Sequence, residues 1–515
     1  MRSKKISISV FQIFITLLIV IGITIAVMII KKNANFGNAL ISKKLGSFTG
    51  NGTVETPYKI ETIEDLVNLS KDVNNGKTYS NQYFELTNKL DFQEDSSYSN
   101  ANGKYGDFNR DGKVESIKVE LTTGKGFPTI GNSEDKPFEG IFKGNDNTIN
   151  NLLINVNSEY EYAFVGLFGN NKGKILNIKL SGKISVEDNL ENKEIHLGML
   201  NARNQGLIQA CNVEGEIYAI SNGENMTVEV AGIAAENMGK IVDSASKVNI
   251  IANQTKAGIV AKNVVSPDIE NSGEIINCTN EGNIKETTGS NYYTAGVIAE
   301  NQQGNITSCN NNGRIEGRKA GGIAGISTGY IVACQNTGSI SNVKEDSNDA
   351  ETVGGIVGVL DTATVENCKN TGDISGINDI GGIAGENKGT ISQSRNEGSV
   401  SKISSTIGKT INIGGLVGKN TPTSRLTNSK NYGKVTSETD TLVNLGGICG
   451  TIYNDSIVEL CESNGVLYGS AKIINPNEDV SIRCASCISN NGGNAETADF
   501  GELNIGIIYG KFEEK

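Results

Sequence analysis

The chain has 515 residues, with 62 glycines, 6 prolines, no tryptophan and a formal net charge of −12. An acidic balance with no basic stripe excludes a nucleic-acid surface, which would have to neutralise phosphates. The single histidine, His196, excludes most Ser-His, Cys-His and multi-histidine metal chemistry, including a His-Glu-x-x-His zinc protease.

At the N-terminus, Arg2, Lys4 and Lys5 precede Ile6 to Ile30, an apolar run without a charged residue. At a rise of ~1.5 Å per residue this run is about 37 Å long as a helix, enough to cross a ~30 Å hydrocarbon core. It ends in Lys31-Lys32 and not in a small-residue cleavage site. Residues 6–30 are therefore expected to be a transmembrane signal anchor behind a basic segment 1–5, with a cleaved export signal as the alternative. Basic residues flank both ends, so charge does not set the orientation. The bulk of the chain is expected outside the cell, single-pass, beyond a tether at residues 31–50.

Residues 51–160 are expected to form an N-terminal cap and lead-in region. Thr62-Ile-Glu-Asp65 reads as a capping box, Leu66, Leu69 and Val73 follow at helical spacing, and Asn75-Gly76 is a stop. This spacing predicts a helix over 63–74, placed to block the open end of a stacked structure. Further on, Asp107, Asn109 and Asp111 supply oxygens at positions 1, 3 and 5 of a loop. Gly112 permits a sharp turn at position 6, the Lys113 carbonyl is a further donor and Glu115 stands at position 9. Calcium wants six to eight such oxygens. Lys118 stands where an EF-hand would place its bidentate glutamate, so the segment is either a calcium loop or a plain Asx-rich turn.

Between residues 161 and 470 one phrase recurs, typified by Gly381 to Val400. Its anchors are Gly166-Leu167, Gly198-Met199, Gly232-Ile233, Gly258-Ile259, Gly296-Val297, Gly322-Ile323, Gly355-Ile356, Gly382-Ile383, Gly415-Leu416 and Gly447-Ile448. Spacings run from 26 residues (Gly232 to Gly258) to 38 (Gly258 to Gly296), the signature of a stacked repeat. A second anchor gives three columns. One holds Ile178, Cys211, Ser244, Cys278, Cys309, Cys334, Cys368, Ser394, Ser429 and Cys461; the next is Asn from Asn280 to Asn431; the last is aliphatic, from Ile184 to Leu467. Steps of two keep residues on one face of an extended chain, so these columns are expected inside. The step of three before the Cys column predicts a bend there.

The fold class expected is all-β: a parallel β-helix (solenoid) of about ten repeats with an N-terminal helical cap, preceded by one transmembrane helix. Each repeat is expected to be one turn of about three short strands, with residues 471–515 as a C-terminal rung and cap. Stacking would make an aliphatic ladder and an amide ladder. The Cys column is expected to be buried small side chains, rung-to-rung disulfides being the alternative. Cys484-x-x-Cys487 lacks a second pair for zinc and is expected to be a local disulfide or packing.

The segments GNGTVETPYKIETIEDLVNL, PFEGIFKGNDNTINNL and Gly166-Leu167-Phe168-Gly169, followed by the repeats, resemble the GLUG-motif repeat proteins of bacterial surfaces. The resemblance spans about 49–467. It implies a parallel β-helix in an exported surface protein, often adhesin-like. Similar repeats accompany IgA-specific metallopeptidases, whose zinc motif this chain lacks.

Repeat lengths vary after the aliphatic column, at about 185–197, 218–230, 285–294, 342–353, 401–413 and 436–445. In a solenoid such insertions emerge from one edge, commonly the binding edge. That edge, with Tyr292 and Tyr293 expected to be exposed, is the candidate site for a glycan or a host or matrix protein. The alternative is a rod that acts only as a spacer. A polysaccharide lyase or hydrolase would need neighbouring carboxylates facing outward. The outward positions Glu281, Asn312, Thr337, Thr371, Glu397 and Tyr432 form no such group, so no enzyme activity is expected.

Overall fold

The structure, a computed structural model, describes residues 48–92, 126–156, 163–186, 190–191, 193–221, 223, 225–287, 292–342, 351–403, 411–437, 443–453 and 455–469. The apolar run 6–30, the Asp107–Glu115 loop and the Cys484–Cys487 pair lie outside these residues. Among the described residues no helix is long and apolar enough to cross a membrane.

The helix Ile63–Asn74 starts where the capping box places it. The Thr62 hydroxyl accepts from the Asp65 N–H at 3.2 Å, and the Asp65 carboxylate accepts from the Thr62 N–H at 3.0 Å. Two orphan donors of the first turn are thereby satisfied. Ile63, Leu66, Leu69 and Val73 are buried on one face. Asn74 fastens the far end: its side-chain amide donates to the Thr129 carbonyl at 2.9 Å and accepts from the N–H of Gly131 and Asn132 at 2.9 and 3.0 Å. Beneath this cap lies a chain of buried rings, with Tyr79–Phe84 at 4.9 Å, Phe84–Phe138 at 6.0 Å and Phe138–Phe168 at 5.3 Å. The rod beyond is filled with aliphatic side chains instead.

A rung is seen plainly at Lys319–Gly321, Ala324–Ser327, Tyr330–Val332, Gln335–Asn336 and Ile340–Ser341. Each strand pairs in parallel with its counterpart one rung on, so one repeat is one turn. The first two strands belong to ten-stranded sheets and the third to a thirteen-stranded sheet. The last two share a fourth sheet that is continuous in the long strands Lys179–Val186, Asn212–Ala219 and Ala245–Ala252. Five short strands in four sheets thus replace the expected three, because the chain is cut at more bends than the glycines mark. The thirteen-stranded sheet opens with Tyr58–Ile60, Tyr83–Leu86 and Ile141–Lys143, so the lead-in region adds rungs directly to the rod. At ~4.8 Å per strand this sheet runs about 58 Å.

The bend before the Cys column is made by one left-handed residue in every rung: Asn177, Ala210, Asp243, Asn277, Ser308, Ala333, Asn367, Gln393, Asn428 and Leu460, with φ between 50 and 55°. None is glycine, so each carries a steric cost that the stack must offset. The column residue pins the turn by donating to the carbonyl two positions back. Ser394 Oγ reaches Ser392 O at 2.9 Å and Cys278 Sγ reaches Ile276 O at 3.3 Å. Cys and Ser alternate there because both are small and both can donate. All seven described cysteines are buried, and Cys211, Cys278, Cys309, Cys334 and Cys368 form no disulfide, in keeping with buried small side chains and not with rung-to-rung disulfides along these five rungs.

The amide ladder is present. Asn280, Asn311, Asn336, Asn370 and Asn396 each donate to the next at 2.7–2.9 Å, ending on Asn431. Each also bridges its own turn, as Asn370 does to the Gly372 carbonyl at 2.9 Å. The glycine anchors stand against this ladder. A Cβ on Gly355 would lie 2.5 Å from Asn370 Cγ, so only glycine lets the two walls approach.

Candidate binding surface

The chain passes from the fourth sheet back to the first at the same corner in every rung. From strand to strand this connection spans two residues at 317–318, eight at 403–410 and ten at 342–351. Between the first and second sheets, by contrast, Gly321–Ala324, Gly354–Val357, Gly381–Ala384 and Gly414–Val417 all turn in the same length. Variation is concentrated at this edge. Parts of the expected insertions are strands of the following rung, namely Glu194–Gly198, Thr227–Ala231, Ile411–Gly414 and Val443–Gly446. A further insertion, between Val264 and Glu274 at a different corner, escaped the repeat alignment.

Tyr292 and Tyr293 lie on this edge, but they are half-buried and not exposed. Tyr293 belongs to the strand Tyr293–Ala295 and packs on Ala257, Ala295 and Ala299, with the Lys319 ammonium 5.4 Å from its ring centre. Burial raises its phenol above the usual range. The cause is the close packing around it: a Cβ on Gly325, in the next rung, would lie 2.8 Å from Tyr293 Cβ. Among the described residues the exposed aromatic side chains are Tyr218, Tyr330, Tyr432 and Tyr453, of which Tyr432 alone stands in the outward column read from the sequence.

Where the outward columns of the first two sheets meet, they close on each other through charge. His196 Nδ1 lies 2.7 Å from Glu229 Oε2, Lys262 is 3.6 Å from Glu229, and His196 stacks on Phe164. Arg203 covers Phe164 at 4.8 Å and pairs with Glu236. Farther along, Asp379 accepts from Asn412 at 2.6 Å, and burial pushes its carboxyl up to about 6. These groups are spent on one another, so the lone histidine holds two strands together.

Under the variable corner the inward column of the first sheet, with Leu197 and Val230 before it and Thr294, Ala320 and Val353 after it, contains Lys256, which is 0% exposed. Its ammonium donates to the Gln254 carbonyl at 2.7 Å and lies 3.7 Å from Glu286, which also accepts from the Arg318 N–H at 2.8 Å. Burial pushes Lys256 down to about 8 and raises Glu286, as expected of charges held away from water. The alternation rule could not foresee a lysine inside a strand.

The outer face of the fourth sheet carries two adjoining depressions of about 440 and 530 Å³, which share Ser181, Glu214 and Lys247. Among the described residues no group of three or more His, Cys, Asp or Glu is placed to hold a metal ion.

The GLUG motif family matches residues 349–375, which include the end of the corner connection, the glycine anchor and the Asn370 turn. Halomucin from Haloquadratum walsbyi is 27% identical over 133 residues, which are 26% of this chain and 1% of that protein, so the chain corresponds to a very small part of it. A solved chain from Bacteroides ovatus, described as a candidate immunoglobulin A1 protease, aligns over 90% of this chain and 86% of its own at 14% identity. Its TM-score of 0.25 carries no argument. The rungs on either side of the matched segment repeat its turn, its ladder and its register, so the segment similar to the GLUG motif is one of a series of like rungs.

Proposed function

We propose that the chain is a non-catalytic, surface-displayed rod that binds a glycan or a host or matrix protein along its variable edge, held to the membrane by residues 6–30. One observation supports this above the others: connection length varies from two to ten residues at this corner from rung to rung, while the turn from the first to the second sheet holds its length and the corner from the second to the third sheet stays at two to four residues apart from the one insertion after Val264. A rod that served only as a spacer gains nothing from concentrating variation at one edge, whereas a binding rod must keep its scaffold fixed and its contacts adjustable.

The test compares the full chain with variants shortened by residues 344–349 and 404–409 on a glycan and matrix-protein array. Binding is expected for the full chain and its loss for the shortened variants, with unchanged melting. A blank array would favour the spacer. Protease shaving of intact cells, followed by membrane fractionation, tests the anchor: a protected fragment containing residues 6–30 is expected in the membrane.

A further inference from the structure

We infer that the fourth sheet carries a second site, separate from the variable edge: a lengthwise groove that takes an extended, neutral polysaccharide. The floor of the groove is main chain. Gly182 and Gly215 stand at its centre and place no side chain in it; a Cβ on Gly215 would lie 1.9 Å from the Gly182 carbonyl oxygen, so the close contact of the two strands requires glycine there. One wall is built from Lys179, Ser181, Glu214, Lys247 and Glu281, and the other from Lys183, Glu216 and Asn249.

The lining sets the ligand's charge. Three lysines (179, 183 and 247) face three glutamates (214, 216 and 281), and they pair as Lys183–Glu216 at 3.1 Å and Lys247–Glu281 at 2.9 Å. The net charge of the wall is zero, so it has no preference for an anion or a cation. What it offers is a dense row of donors and acceptors, partly exposed, suited to hydroxyl groups. Tyr218 is 48% exposed, and its neighbour across the ladder, Ile251, is also exposed; both lie two residues beyond the second wall and therefore on the same face. They provide an apolar rim on which the face of a sugar ring can rest.

The spacing sets the ligand's shape. Equivalent side chains recur once per rung, at ~4.8 Å along the axis. A linear hexopyranose chain advances by nearly the same distance per sugar, so successive rings would meet equivalent groups. An extended peptide does not fit this period, because its same-face side chains recur at ~6.6 Å. Nor can a strand dock here, since every strand of this face is already paired on both sides. From Thr148 to Glu281 the groove crosses five rungs, about 19 Å, which is room for four to five sugars.

Calorimetric titration of the full chain with cello-, manno- and chito-oligosaccharides of two to eight units tests this. Affinity for at least one series is expected to rise up to the pentasaccharide and then level off, with little dependence on salt. Glu214→Ala with Lys247→Ala, and separately Tyr218→Ala, are expected to weaken binding at least tenfold. These side chains are exposed, so melting should be unchanged. Deletion of residues 344–349 and 404–409 is expected to leave this binding intact, which separates the groove from the variable edge. The proposal is overturned if no series binds at millimolar concentration, if the groove variants bind as tightly as the parent, or if the loop deletions abolish binding.

Discussion

The first and last rungs of the rod solve the same packing problem with their amide ladders on different walls. From Asn171 through Asn204, Asn237 and Asn263 to Asn301, the ladder runs along the second sheet, each side chain donating to the next at 2.7–3.0 Å. Over the first three of those rungs the fourth-sheet column is Leu180, Val213 and Ser246, and its strands are eight residues long, while the rungs of Asn263 and Asn301 carry both ladders. From Asn280 onward the ladder runs along the fourth sheet to Asn431, and that sheet's strands shrink to two or three residues. The second-sheet ladder passes through Ser327, yields to Leu360, and resumes only at Asn387–Asn420. A rung thus needs hydrogen-bonded side chains wherever its strand is too short to satisfy its own turn. A long strand can afford an apolar column, and the groove lies on these long strands.

The largest effect should come from cutting the ladder where the strands are shortest. Asn370 gives its amide to Asn396 and Gly372 and receives from Asn336. Asn370→Leu strands all three partners and presses a branched side chain against Gly355. At ~1–3 kcal/mol for each stranded buried group, the cost should be about 3–6 kcal/mol, read as a lower urea midpoint. Val213→Ala in the long-strand region should cost less, about 1–3 kcal/mol. Equal costs would erase the distinction between the two regions.

Next comes the buried pair at the boundary. Lys256→Met leaves Glu286 buried without its ammonium and should cost about 3–5 kcal/mol, whereas Lys256→Met with Glu286→Gln should be near neutral. A double variant as unstable as the single one would show that the pair holds the corner for a reason other than charge.

Fold and site were unequally legible. The helix 63–74, the stacking register and the Asn280–Asn431 ladder follow from periodicity, because a side chain that meets its own copy in the next rung must recur in sequence. The second-sheet ladder was missed because Asn171 to Asn301 follow the glycine anchor at a distance where Ser327, Leu360 and Ile452 interrupt the column. Lys256 defeats the alternation rule through a partner, Glu286, thirty residues away. Tyr293 looked exposed because it adjoins an insertion, and only the Ala257–Ala295–Ala299 surface shows where its ring goes. The groove is lined by residues of five rungs, which no local pattern brings together.

Asp379 allows the short-strand region to be sharpened by pH. Burial raises its folded pKa to about 6, above the unfolded value near 4, so the fold prefers the protonated acid. The associated stability is fully present below about pH 4 and is lost as pH rises through about 6. Asp379→Asn keeps an acceptor for Asn412 and removes the charge, extending an amide series with Asn412 and Asn444. At pH 7.5 it should be more stable than the parent by about 2 kcal/mol, and at pH 4 the two melting curves should coincide. A gain that persists unchanged at pH 4 would rule out the carboxylate as its source.

The smallest effect is expected at the Cys column. Ser394 and Ser429 make the same turn bond that Cys334 makes to the Val332 carbonyl, so Cys334→Ser replaces one donor with another. The hydroxyl bond is stronger and the sulfur fills more space, and the two should offset to within about 1 kcal/mol. Cys334→Ala loses both and should cost about 1–2 kcal/mol more than Cys334→Ser, because the left-handed Ala333 then has nothing to pin it. Burial also pushes the Cys211 thiol up to about 12 and the Cys334 thiol well above its usual range, so neither should react with an alkylating reagent until the rod unfolds. Labelling of Cys211 and Cys334 that tracks the urea transition would confirm a dry interior column. Labelling well below the midpoint would mean that the rungs separate locally, and the column would then have to be regarded as a seam between rungs.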